Sequence, residues 1–100
     1  MKTAVGVAWY DASEWDQLRQ IAPDRDNLET THAEWLALAE QGLADLRARG
    51  LRPYRVPVRI AEFRSWCSIT GRRPDASARA EYASAELKRL HEAGLLDPDA

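Results

Sequence analysis

Large and small residues alternate over residues 3–9, with Val5, Val7 and Trp9 on one side and Ala4, Gly6 and Ala8 on the other, which is the period of a β-strand. One side is bulky and the other thin. From Asp11 the period lengthens to that of a helix. Asp11 is placed as N-cap, Glu14 follows at capping-box spacing, Trp15, Leu18 and Ala22 line one side, and Pro23 ends the run. Residues 23–30 are polar and read as a loop. Thr31 with Glu34 repeats the capping spacing and opens a longer helix to about Arg49, with Trp35, Ala39, Gly42, Leu43 and Leu46 near its apolar stripe and Gly50 at its end. Gly42 costs up to ~1 kcal/mol relative to Ala inside a helix, so it reads either as a close helix contact or as a tolerated residue.

A second unit begins at Pro53. Tyr54, Val56 and Val58 share one side of a strand, and Arg55, Pro57 and Arg59 share the other. Proline has no N–H for a ladder, so Pro57 belongs on an edge or opposite a gap. A helix from about Ile60 to Ile69 places Phe63, Trp66 and Cys67 inward, with Gly71 at its end. Asp75 caps a last helix in which Ala76, Ala80, Ala83, Leu87 and Leu90 recur at helical spacing. Gly94 closes that helix with Leu95 placed to pack back on it, and the tail 97–100 is expected to fray.

The two units match. Val7-Ala8-Trp9-Tyr10, Glu14-Trp15, Leu18, Ile21 and Arg25 recur 48 positions on as Arg55-Val56-Pro57-Val58, Glu62-Phe63, Trp66, Ile69 and Arg73. Ala33-Glu34-Trp35 recurs 47 positions on as Ala80-Glu81-Tyr82. The pattern predicts an α+β fold made of two tandem β-α-α units within a single domain, residues 1–100, with sub-repeats at about 3–50 and 53–95. If every helix pair turns back on itself, the strands form a two-stranded antiparallel sheet about a pseudo-twofold axis. Four helices then cover the one face carrying Val5, Val7, Val56 and Val58, and the thin face is left open. A lone two-stranded sheet is marginal in water, which points to a homodimer joined through it.

Composition narrows the setting. A chain of 100 residues with one cysteine, Cys67, forms no internal disulfide and is long enough for a core without a staple. The lone thiol and the lack of a signal-peptide pattern lead us to expect a cytoplasmic protein, and no apolar run is long enough for a membrane span. The net charge is −2, but unevenly spread: residues 1–46 hold three basic and nine acidic side chains, and residues 47–79 hold nine Arg and two acids. This arginine belt either folds against the acidic remainder or offers a surface to phosphate or an acidic partner.

Chemistry is sparse. His32-Ala33-Glu34 matches half of the zinc deaminase signature, but the Pro-Cys-x-x-Cys half is missing. His32 therefore reads as a surface residue of a first helical turn, and His91, after Leu90 on the last helix, as partly buried or in contact with the C-terminal helix dipole. The run from Asp24 to Glu29 lacks the glycine and the glutamate that a calcium loop requires at its sixth and twelfth places. Cys67 reads as a small core residue. No Gly-rich phosphate loop, nucleophile elbow or dinucleotide fingerprint is present. We expect no catalytic residue, no cofactor and no metal. Trp15, Trp35 and Trp66 belong to apolar stripes, whereas Trp9, where the first strand ends, is a candidate contact residue. Arg55, Arg59, Arg64, Arg72 and Arg73 are the remaining candidates for binding a partner. The helices around Gly71 and Pro74 suggest a helix-turn-helix, yet residues 76–85 offer few side chains that reach base edges, and the pI of about 5.6 opposes a dedicated nucleic-acid protein.

The order Ala8-Trp9-Tyr10, Glu14-Trp15, Glu34-Trp35-Leu36, Val56-Pro57-Val58 and Glu62-Phe63 with Trp66-Cys67 resembles a family of small bacterial proteins without an assigned activity. The resemblance spans nearly the whole chain and implies a bacterial origin, but no ligand or site. The leading expectation is a non-catalytic interaction domain that self-associates. The alternatives are a module that binds nucleic acid or an acidic protein through the belt, and an enzyme with an unrecognised site.

Overall fold

The computed structural model describes residues 3–95. The chain runs β1 (Ala4–Trp9), α1 (Ala12–Ile21), a 3-10 turn (Arg25–Asn27), α2 (His32–Ala48), β2 (Arg52–Pro57), α3 (Ile60–Thr70) and α4 (Ala76–Glu92). Local chemistry places the helix starts. Asp11 accepts from the Glu14 N–H at 2.8 Å, Thr31 from the Glu34 N–H at 3.2 Å, and Asp75 from the Ala78 N–H at 2.9 Å. Gly71, with φ of 70°, supplies the left-handed residue that ends α3, and the Arg72 N–H bonds back to the Cys67 carbonyl at 2.8 Å.

The third N-cap is supplied from elsewhere. Arg59, in the cap position of α3, makes no side-chain cap bond. Glu14 of α1 does so instead: its Oε2 accepts from the Ile60 N–H at 2.7 Å, joining the starts of α1 and α3.

The strands are parallel, which corrects the expected antiparallel sheet. Their register runs from Ala4 opposite Arg52 to Trp9 opposite Pro57, an offset of 48 and thus the same separation at which the sequence repeats. Parallel neighbours need a long crossover, and here α2 alone makes the return. Its 17 residues give about 25 Å of helix, enough to run back along a strand of about 20 Å. Helix α1 does not add a second pass. It packs on α2 and α3 and not on the strands, just as α3 packs on α1 and α4.

Parallel register also redistributes the faces. Val7 now shares a side with Arg55, and Ala8 shares the other with Val56, so the expected face of Val5, Val7, Val56 and Val58 is divided between both. Helices cover both sides, contrary to the expected single layer. Helix α4 lies on the Gly6 side, so close that a Cβ on Gly6 would stand 2.8 Å from the Ala83 carbonyl oxygen. On the opposite side Trp35 of α2 meets Trp9, with ring centroids 5.2 Å apart. The thin side of β1 is therefore where a helix comes nearest. Gly42, in contrast, has open space where its Cβ would be, so it is tolerated and marks no contact.

The core gathers beyond the carboxyl ends of the strands. Trp15, Leu18, Ile60 and Phe63 are fully enclosed there, together with Tyr10, Val58, Cys67 and Tyr82. Trp15 stacks on Trp35 and Phe63 meets Tyr82 edge-on, each pair at 5.3 Å, and these are the residues that correspond at separations of 48 and 47. Trp35 and Trp66 are half-buried. Leu95 is 65% exposed and does not pack back, although its N–H reaches the Leu90 carbonyl at 2.9 Å. The expected frayed tail over 97–100 lies outside the described residues.

Candidate partner-binding edge

A two-stranded sheet has two free edges, and here they differ in chemistry. Arg52 donates to Thr3 and Val58 to Trp9, each at 2.9 Å, which fixes the phase of the ladder. In β2 the even-numbered residues face β1, so Pro53, Arg55 and Pro57 face outward. Two of those three lack an N–H, leaving Arg55 as the only outward donor of that strand. In β1 the outward groups belong to Ala4, Gly6 and Ala8, each with an N–H and a C=O. Among the described residues, no backbone hydrogen bond outside the ladder and the helices uses them. One edge is closed by proline and the other is open.

A groove of about 420 Å³ runs beside β1, with Gly6, Ala8, Ala76, Ala80, Ala83 and Trp35 in its lining. The β1 and α4 residues Gly6, Ala8, Ala76, Ala80 and Ala83 make part of its wall small and apolar, whereas Trp15, Leu18, Leu28 and Trp35 make the rest bulky. Tyr10 and Arg79 also line it. Burial pushes the Tyr10 hydroxyl up to about 12, a shift that Arg79 opposes and Asp24 reinforces, so the phenol stays neutral. Arg79 holds Asp24 through two hydrogen bonds, at 2.9 and 2.7 Å, and also donates to the Pro74 carbonyl at 3.1 Å. Those bonds hold the Asp24 carboxyl below its usual range despite some burial. Arg79 was not among the candidate residues, because its partner lies 55 positions away in the chain.

The arginine belt is dispersed. Arg55 lies over the Trp9 ring at 4.9 Å, and Trp9 and Arg59 line a second cavity of about 340 Å³ with His32 and Leu36. Arg64 and Arg72 line another cavity, of about 310 Å³, beside Cys67, while Arg73 stands exposed at the turn before α4. Arg72 is paired with Glu81 and donates to Ser77 at 3.1 Å. The six candidates thus fall in two places and form no continuous surface.

Two groups that could serve catalysis, His32 and Cys67, are engaged in the packing. His32 is half-buried and not a surface residue: its Nε2 donates to the Tyr10 carbonyl at 2.7 Å, and its ring lies against Trp35. Burial pushes the Cys67 thiol up, away from the thiolate a nucleophile needs. Among the described residues no group of three or more His, Cys, Asp or Glu could hold a metal ion, and no helix is long and apolar enough to cross a membrane. No family model matches the chain, and the comparisons with curated proteins and with solved structures find no match.

Proposed function

We propose that the chain is a small, non-catalytic interaction domain of the cytoplasm that self-associates by adding a strand at the free edge of β1. The observation that carries this reading is the contrast between the edges, Ala4, Gly6 and Ala8 on one side and Pro53, Arg55 and Pro57 on the other. An unpaired row of N–H and C=O groups is a template for another strand, and proteins ordinarily blunt such a row unless it is used. A reading through the arginine belt has less support, since Arg72 and Arg79 are already paired with carboxylates.

Ala4→Pro tests the proposal. Ala4 is exposed and its N–H points away from β2, so proline there copies the closed edge without breaking the ladder. Sedimentation equilibrium over a concentration series should show the wild-type mass rising above one chain and the variant remaining at one, with equal helix content by circular dichroism. A wild type that stays monomeric, or a variant that associates as well as wild type, overturns it.

A further inference from the structure

Strand addition leaves open which part of the second copy occupies the edge, and what limits growth. Resting on the self-association reading above, we infer that the occupant is β1 of the second copy, antiparallel and centred on Gly6, and that the assembly closes at two chains.

The first argument is self-complementarity. The outward residues of β1 are evenly spaced about Gly6, so an antiparallel pair about a twofold axis sets Gly6 opposite Gly6 of the second copy and Ala4 opposite Ala8. In that register every outward N–H of one chain meets an outward C=O of the other. A slip by one pair leaves an end residue without a partner.

The second argument is space. Residues directly opposite in an antiparallel pair share a face, so both central strands present only Ala and Gly toward the side on which α4 lies. Ala76 and Ala80 of α4 are exposed small residues in the groove wall, where the second α4 must approach. On the other side Val5 comes opposite Val7 of the second copy. Both valines are half-exposed in the single chain, and pairing removes them from water.

The third argument is termination. Joining two β1 strands yields a four-stranded sheet whose outer strands are both β2, and their outward faces carry Pro53 and Pro57. Proline at those places leaves the pair without a good template for a third copy. The open edge recruits and the closed edge stops.

Disulfide trapping reads the register directly. In a Cys67→Ala background, Val5→Cys and Val7→Cys chains are mixed and oxidised. A non-hydrogen-bonded antiparallel pair brings Cα atoms to about 4.5 Å, within disulfide range, whereas Val5 and its own counterpart lie on a longer diagonal. The mixed Val5–Val7 disulfide should form in several-fold excess over either self-linked product, and the mass of the wild-type assembly should level off at two chains. Self-linked Val5→Cys chains in excess would sink the register. A wild-type mass continuing past two would sink the closure. A wild type that never associates would instead remove the self-association reading on which both depend.

Discussion

β1 and β2 lie in one ladder with a single register, yet one presents a finished edge and the other an unfinished one. The difference rests on which residues the ladder phase turns outward: Pro53, Arg55 and Pro57 in β2, against Ala4, Gly6 and Ala8 in β1. Had the phase been shifted by one residue, the prolines would face β1 and cost it two ladder bonds. Two units with the same element order therefore differ least where they pack and most where they meet solvent. The comparison separates what a repeat preserves from what it changes: the preserved part is the scaffold, and the changed part is the surface available for use.

The largest test asks whether the halves are equal where they pack. Trp15 and Phe63 correspond in sequence, are 1% and 0% exposed, and each meets the aromatic residue of its own longer helix. Replacing either by Ala should cost about 3–5 kcal/mol by denaturant titration, as expected for deletion of an enclosed aromatic ring. Similar values would mean one shared core with equal contributions. A loss below ~1 kcal/mol at either position would show that the core belongs to one half and that the resemblance is only of sequence.

Much of the scaffold was legible before the fold was known. Asp11, Thr31 and Asp75 mark helix starts because capping is local chemistry, and Trp15, Leu18 and Phe63 mark the core because periodicity reports burial. Strand direction was not legible, because it depends on which helix makes the return pass. Pro23 and Gly50 bound α1 and α2 but do not reveal that α1 stays off the sheet. The contact beneath Gly6 was hidden for the same reason: a glycine in a thin strand side looks like empty space until α4 is placed above it. Candidate residues chosen by charge fared differently. Arg72 is tied to Glu81, and Arg79, which was not among the candidates, is tied to Asp24, pairings that no short-range pattern reveals. The open edge emerges only once the register assigns the alternate residues of each strand to inside or outside.

A second test concerns how the halves are stitched. Asp24 corresponds to Arg72 at the separation of 48, and the reversed charges are each satisfied, Asp24 by Arg79 of α4 and Arg72 by Glu81. Only the first pair joins the two units. The Asp24 carboxyl is held below its ordinary value, so its contribution is present above the unfolded value of ~3.9 and is lost as pH falls through the lower folded one. Tyr10 has the opposite sign: raised to about 12, it favours the fold below its unfolded value of ~10 and loses that contribution as pH rises toward 12. Asp24→Asn should therefore lower stability at neutral pH by about 1–2 kcal/mol, the pair being partly screened, should flatten the acid limb below pH ~4, and should bring the end of the alkaline loss to lower pH, because the Asp24 charge helps to raise Tyr10 while Arg79 opposes it. An acid limb identical to wild type would show that this pair does not join the halves energetically.

The smallest expected effect on the single chain carries the most information about the edges. Pro57 is exposed, its ring occupies the place of an outward donor, and Pro57→Ala converts that part of the β2 edge toward the chemistry of β1. Folding stability should fall by only about 0.4–1 kcal/mol, through the freer unfolded chain. Association should change in kind: with a donor restored beyond Arg55, the outer strands of a dimer become templates, and sedimentation should reveal species heavier than two chains at high concentration. Adding Pro53→Ala should extend this, at a further cost because Pro53 is buried. If both variants stop at two chains, proline is not what closes the β2 edge. Closure would then have to come from Arg55, whose guanidinium lies over Trp9, or from the burial of the strand at Pro53, features that the row of small residues on β1 does not share.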